Sequence, residues 1–314
     1  MSIVVVVPWL LLGAGIVCLG LGASWLVDGA SRLALRFGIS PMVVGLTVVG
    51  FGTSMPEFTV SVLAASRGST DLSLGNAVGS NIMNLLLVLG VAAVLVPIQV
   101  VGSRRLISRD LVFGLLPAAV LMVCAHNGLI SRPVALLLIG IFLVFITTAV
   151  VQARGKVAEP ATVKGSPLRH LLITTIGIAV LMTGSEMLVS GGVDLAHRFG
   201  ISEAVIGLTL VAFGTSLPEL ATSVAAVLKG ESDIGVGNVL GSNVFNLGLV
   251  VGTAFTIRPA TVATFVIHQD LPILVGATLL VGLVVVRGGR IGRLEGVGML
   301  TLFAAYIAFV ALRG

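Results

Sequence analysis

The chain has 314 residues, of which 57% are hydrophobic and only 10% charged, with a mean hydropathy of +1.16, so it cannot hide its apolar surface inside one water-soluble core. The formal net charge of +5 would suit a nucleic-acid binder, but the basic residues sit between apolar runs and form no patch, so no nucleic acid is expected as a partner. The lipid bilayer is.

Apolar runs of membrane-spanning length recur almost end to end, and their lack of period-two alternation excludes a transmembrane β-barrel. The expected fold class is an all-α polytopic membrane protein of about ten transmembrane helices. In chain order the spans lie near residues 7 to 28, 39 to 66, 72 to 97, 108 to 126, 132 to 152, 168 to 192, 201 to 228, 234 to 257, 270 to 287 and 293 to 312. The first run has no basic leader and no cleavage signature, and reads as a retained helix. With the amino terminus outside, 13 of the 18 Lys and Arg residues fall on the cytoplasmic side, the asymmetry of the positive-inside rule. A multi-pass cell-membrane protein with both termini outside follows.

The second and third spans match the seventh and eighth. Residues 45 to 90 and 207 to 252 align without a gap at a shift of 162 and share 25 of 46 residues. Upstream, the register extends through Arg36-Phe37-Gly38-Ile39-Ser40 and Arg198-Phe199-Gly200-Ile201-Ser202. The shift spans five crossings, an odd number, so the duplicated half enters the membrane from the opposite side. The expected organisation is a first five-helix repeat over 1–153, a short cytoplasmic linker over 154–167 and a second, inverted five-helix repeat over 168–314. In inverted-repeat transporters the substrate site lies near the midplane, where the halves meet.

Each repeat buries Gly-Thr-Ser-x-Pro-Glu in an apolar span, at Gly52 to Glu57 and at Gly214 to Glu219. A proline inside a helix deprives the carbonyl four residues back of its donor, which releases the oxygens of Gly52 and Gly214. Helical spacing predicts Thr53 and Ser54 on the face of Glu57, and Thr215 and Ser216 on the face of Glu219, with Gly50 and Ala212 two turns earlier. A carboxylate at membrane depth costs about 2.5 to 3.5 kcal/mol unless it is paired or protonated. With no Lys or Arg in the neighbouring spans, a bound cation is the natural partner.

The following spans carry Gly75 to Asn84 and Gly237 to Asn246, in which Asn76, Ser80 and Asn84 form a polar stripe four residues apart. Asn76, Asn238, Asn81 and Asn243 suit helix-to-helix hydrogen bonds as well as ion contact. Together the repeats offer two carboxylates, hydroxyls, amide oxygens and loosened carbonyls, with no soft ligand. Such hard oxygens suit Ca²⁺ in a flexible site of six to eight ligands and can also hold Na⁺; Mn²⁺ and Cd²⁺ accept many of them too.

The paired GTS(M/L)PE and GN(A/V)(V/L)GSN motifs resemble the α-repeats of the sodium/calcium exchanger family, within the cation/calcium exchanger superfamily of prokaryotic type. The resemblance covers essentially the whole chain. It implies a secondary active antiporter for Ca²⁺ and Na⁺, with Glu57 and Glu219 binding both ions. It further implies that Thr53, Ser54, Thr215, Ser216, Ser80, Ser242, Asn84 and Asn246 complete the sites, with backbone oxygens from Gly50, Ala212, Thr53 and Thr215. The first and sixth helices would slide as a gate against the other eight. Some members carry aspartate where this chain has Asn246, which argues against potassium co-transport here.

Other readings remain in view: a Ca²⁺/H⁺ antiporter, since empty carboxylates at low dielectric accept protons; a passive cation channel; and an intramembrane enzyme, for which no embedded histidine is present to activate Ser54 or Ser216. No cofactor and no enzymatic activity are expected, and the sequence names no protein partner. Asp28 and Glu186 are expected to be solvated at span ends, Asp110 and Asp270 to cap helices, and the two cysteines, Cys18 and Cys124, to be buried.

Overall fold

The computed structural model describes residues 2–99, 104–155, 164–199 and 212–313. The chain is a bundle of helices: α1 (Ser2–Phe37), α2 (Pro41–Thr53), α3 (Met55–Ser66), α4 (Thr70–Leu95), α5 (Arg104–Cys124), α6 (Arg132–Gly155), α7 (Pro167–Arg198), α8 (Ala212–Thr215), α9 (Leu217–Leu228), α10 (Ser232–Ile257), α11 (Val266–Arg287) and α12 (Arg293–Arg313). Four two-residue strands lie between them: β1 (Ile98–Gln99), β2 (Leu129–Ile130), β3 (Ala260–Thr261) and β4 (Arg290–Ile291).

Seven of these helices are long and apolar enough to cross a membrane, and the α2–α3 pair, bent by 47°, makes an eighth span. Of the ten spans expected, the other two correspond to α5, whose first turns carry Arg104, Arg105, Arg109 and Asp110, and to the segment ending in α8 and α9. The amino-terminal part of that second segment, residues 201–211, lies outside the described residues, as do linker residues 156–163 and the repeated Ile201 and Ser202.

Polarity is inverted relative to a water-soluble protein. Large aliphatic side chains such as Val123, Leu294 and Leu312 face outward, whereas serines, threonines, asparagines and two glutamates are buried at the centre. This is what hydrocarbon as solvent requires: the outside matches lipid, and polar groups must find partners within. The central helices are α10, 94% of whose apolar window is buried, and α4; α12, at 11%, is peripheral. Phe245 of α10 sits in an aromatic cluster with Phe51, Phe58 and Phe142, its ring centroid 5.2 Å from that of Phe51 in an edge-on arrangement.

The repeat seen in the sequence is a repeat in space, and its halves are inverted. Helix α7 lies 162 residues after α1 and runs antiparallel to it: Gly15 abuts Gly184 and Leu188, Gly22 abuts Gly177 and Leu181, and Gly29 abuts His170 and Thr174. Glycines recur every seven residues in both helices, at 15, 22 and 29 and at 177, 184 and 191, so the two backbones touch along one seam. At 36 and 32 residues, both helices exceed the roughly 20 needed to cross a bilayer, which such helices accommodate by tilting. The strands obey the same symmetry: β1 pairs antiparallel with β4, and β2 with β3.

Several side chains depart from expectation. Asp110 is the seventh residue of α5, because that helix begins at Arg104, and it pairs with Arg109 instead of capping. Asp270 precedes the α-helical part of α11 but makes no capping bond. A π-helical turn over Val266–Asp270 carries the helix past it, and both its oxygens are held by Arg313, at 2.9 and 3.1 Å. Asp28 is engaged with Lys229 at 2.7 Å. Cys124 is exposed and Cys18 half-buried.

Candidate cation site

The site is built where the two Pro-Glu segments break their helices. Ser54 (φ −86°, ψ 8°) and Ser216 (φ −90°, ψ 3°) leave helical geometry, and the chain restarts with Pro56 and Pro218 in the first turns of α3 and α9. Proline is favoured there because its missing N–H is one that a helix start leaves unpaired in any case. Glu57 and Glu219 therefore lie in the first turn of a new helix, where a carboxylate is favourably placed against the helix dipole.

The break also redirects the hydroxyls. Spacing within an unbroken helix places Ser54 beside Glu57, but Ser54 Oγ donates to Glu219 Oε1 at 2.8 Å, and Ser216 Oγ donates to Glu57 Oε1 at 3.1 Å. Each repeat thus serves the other repeat's acid. Ser242 Oγ also donates to Glu219 Oε1 at 3.3 Å, and Ser80 Oγ lies 3.1 Å from Ser216 Oγ. Thr53 Oγ1 donates to Asn238 Oδ1 at 2.9 Å, matched by Thr215 Oγ1 to Asn76 Oδ1 at 3.4 Å. Asn76 and Asn238 are in turn held by Ser61 and Ser223, at 2.9 and 3.0 Å, so they brace α4 against α3 and α10 against α9. The recurrence of Ser61 as Ser223 in the alignment was the sequence signal for these braces.

Four asparagines close the network between the halves. Asn81 Nδ2 donates to the Asn243 carbonyl at 2.9 Å and Asn243 Nδ2 to the Asn81 carbonyl at 3.2 Å. Asn84 Nδ2 donates to Asn243 Oδ1 and Asn246 Nδ2 to Asn81 Oδ1, both at 3.1 Å. These bonds fix which way each amide points. At Asn84 and Asn246 the helices pass into π-helical turns, Asn84–Val88 and Asn246–Val250, a local irregularity frequent at functional sites.

After this accounting, Glu57 Oε2, Glu219 Oε2, Asn84 Oδ1 and Asn246 Oδ1 are buried without a hydrogen-bond partner among the described residues. All four are acceptors, and they form two symmetry-related pairs. A buried polar atom left unmade costs about 1 to 3 kcal/mol, more if charged. Bound cations would supply partners for such acceptors, and the donor set, two carboxylates with amide and hydroxyl oxygens, has the hardness of a Ca²⁺ or Na⁺ site.

Of the other expected ligands, Thr53, Ser54, Ser80, Thr215, Ser216 and Ser242 are buried in the same network. The Gly50 carbonyl accepts from Ser54 N at 3.1 Å and lies 3.4 Å from Ser242 Oγ. Ala212 begins α8, at the edge of the described residues. The Gly214 carbonyl, expected to be released by Pro218, is taken by Ser185 Oγ of α7 at 2.7 Å. Thr222 is a further polar residue beside the site that the motifs do not mark: one turn beyond Glu219, it is fully buried with its hydroxyl unpartnered among the described residues. Its counterpart is Val60, so the alignment gave no signal for it.

The fold and this network define a polytopic membrane transporter of two inverted repeats. The model of the sodium/calcium exchanger protein family matches residues 7–151 and 169–312, and the chain belongs to that family, whose members exchange cations and are not a class of enzyme. The chain is 37% identical over 310 residues to the putative antiporter CaxA of Alkalimonas amylolytica, covering 93% of this chain and 95% of that one. It is 29% identical to the sodium/calcium exchanger MaX1 of Methanosarcina acetivorans, covering 96% and 98%. Among solved structures, the sodium-calcium exchanger NCX_Mj soaked with 10 mM Na⁺ and zero Ca²⁺ superposes with a TM-score of 0.86 at 31% identity, covering 97% of this chain and 99% of that one.

Proposed function

We propose that the protein is a secondary active antiporter that exchanges Ca²⁺ for Na⁺ by alternating access at the site between Glu57 and Glu219. The observation that carries this reading is the symmetric set of four unpartnered oxygens, two carboxylate and two amide, buried where the inverted halves meet. Glu57 and Glu219 supply the charge that binds either one Ca²⁺ or Na⁺ ions in its place. Asn84 and Asn246 supply neutral oxygens, and Ser54, Ser80, Ser216 and Ser242 orient the acids and adjust as ions of different charge enter. Thr53, Thr215, Gly50 and Ala212 contribute backbone or hydroxyl oxygen at the margins.

Competition for one set of oxygens couples the ions, because either species can neutralise the acids but both cannot do so together. Long helices α1 and α7, joined along their glycine seam, form the gate that moves against the rest. The protein lies in the cell membrane, with both termini outside and the 154–167 linker cytoplasmic, as the distribution of basic residues favours.

Purified protein in Na⁺-loaded proteoliposomes diluted into choline should take up ⁴⁵Ca²⁺ against its gradient, and dissipating the Na⁺ gradient should stop it. Uptake driven equally well by a pH gradient without Na⁺ would replace this reading with Ca²⁺/H⁺ exchange. Downhill flux alone would leave a channel.

A further inference from the structure

The network at the centre is nearly symmetric, but the ends of α1 and α7 are not, and the asymmetry marks a latch. Toward its carboxyl end, α1 packs along α9, with Leu26, Val27 and Ala30 fully buried and Ser31 nearly so. The residues 162 positions later, Leu188, Val189, Gly192 and Val193 of α7, are only half-buried, and α7 makes no comparable packing on α3. The carboxyl end of α1 is closed over α9, whereas that of α7 reaches α8, where Val189 abuts Gly214, without closing over α3.

The shut end is fastened by polar contacts to the turn after α9. Gly230 adopts φ +77°, which sets Lys229 and Glu231 on either side of a tight corner. Lys229 Nζ donates to Ser24 Oγ at 2.7 Å and to the Ser24 carbonyl at 2.9 Å, and pairs with Asp28 at 2.7 Å. Ser31 Oγ donates to Glu231 Oε1 at 2.5 Å. The same corner is built in the first half, where Gly68 has φ +92° between Arg67 and Ser69. There Arg67 stands in place of Lys229, and across from it α7 carries Glu186 in place of Ser24 and Ser190 in place of Asp28. Arg67 and Glu186 are both exposed, and no ion pair joins them.

We propose that the two gate ends carry alternative ion pairs, Asp28–Lys229 in this conformation and Glu186–Arg67 in the opposite one, and that their exchange sets the balance between the two orientations. Two identical inverted halves would give two orientations of equal energy, so only residues that differ between the halves can bias them. At the gate ends those residues are charged and lie at the corners that the closing helices meet. Moving Arg67 into the setting that Lys229 occupies here puts its guanidinium beside residue 186. The acid has changed position on the helix, from 28 in one half to the equivalent of 24 in the other, and the cation has changed from Lys to Arg with its longer reach. The inference rests on the alternating-access reading above.

The test is disulfide trapping in the full chain with Cys18→Ala and Cys124→Ala as background. Arg67→Cys with Glu186→Cys should form an intramolecular, reductant-reversible cross-link, although these residues are unpaired in this conformation. Adding Lys229→Met, which releases the Asp28 latch, should raise the initial rate of that cross-link about two- to five-fold, the scale of an ion pair at a solvated rim. Absence of the cross-link at every Na⁺ and Ca²⁺ concentration, in protein that remains monodisperse, would overturn the proposal, and so would a rate unmoved by Lys229→Met. The cross-link is read on a gel and not by flux. Failure of Na⁺-driven uptake by the wild-type protein would therefore count against the ion assignment, and failure of the cross-link against the latch.

Discussion

Gly22→Ala should weaken the α1–α7 seam in a way that Gly20→Ala, two residues away on the same helix, does not. A Cβ at Gly22 would lie 2.5 Å from Leu181 N and 2.8 Å from the Gly177 carbonyl oxygen, both backbone atoms that no rotamer change can move, whereas a Cβ at Gly20 meets nothing within 4 Å. Restoring ordinary contact requires the helices to part by about 1 Å, and overpacking of this kind costs about 1 to 3 kcal/mol. Replacing glycine by alanine in a helix otherwise stabilises it by about 0.8 to 1.0 kcal/mol, so Gly20→Ala should be neutral or slightly stabilising. Thermal denaturation of the two variants, followed by size-exclusion chromatography of heated samples, gives the comparison. Equal melting for both would refute the claim that the backbones touch along a glycine seam, and a loss confined to Gly22→Ala supports it.

Three further outcomes follow. Asn81→Ala removes the acceptor of Asn246 and the donor to the Asn243 carbonyl. It should lower thermal stability by about 1 to 2 kcal/mol, the range of interhelical polar contacts in membranes, and should weaken Ca²⁺ retention through the unpinned Asn246; unchanged retention would remove the asparagine ring from the account. Arg313→Ala releases Asp270 and the stacking on Phe265 and Phe309. Thermal unfolding should fall by about 1 kcal/mol while Na⁺-driven ⁴⁵Ca²⁺ uptake persists, consistent with an ion pair at a partly exposed rim. Ser54→Ala strips a donor from Glu219 Oε1, and Ser216→Ala strips one from Glu57 Oε1. In titrations of ⁴⁵Ca²⁺ retention, each should weaken binding, and retention unchanged in either variant would remove that hydroxyl from the account.

The spans, the repeat and the doubled acidic motif were legible because hydrophobic length and self-similarity are properties of the string itself. What stayed hidden depends on where helices break. Thr53 and Ser54 were placed beside Glu57 by assuming 3.6 residues per turn through Pro56, and the interruption at Ser54 hands its hydroxyl to Glu219 instead. The amide ring was half legible: Asn81 and Asn243 were seen as helix-bonding residues, but their pairing with each other follows from the inverted packing of α4 on α10, which spacing along either helix does not encode. Asp110 and Asp270 do not cap, because helical geometry runs several residues further upstream than hydropathy indicates, through charged residues in α5 and through a π-turn in α11. The glycines of α1 and α7 stood in the sequence at matching sevenfold intervals. Their meaning emerged only when the two helices proved to be each other's neighbours.

The central claim is that the four unpartnered oxygens hold the transported ions, and equilibrium binding of ⁴⁵Ca²⁺ to the purified protein tests it most directly. Titration in choline should give saturable binding that Na⁺ displaces competitively, and Glu57→Gln or Glu219→Gln, each preserving side-chain shape while removing a charge, should abolish it without loss of folded protein. Binding that survives either substitution at wild-type affinity would contradict the account.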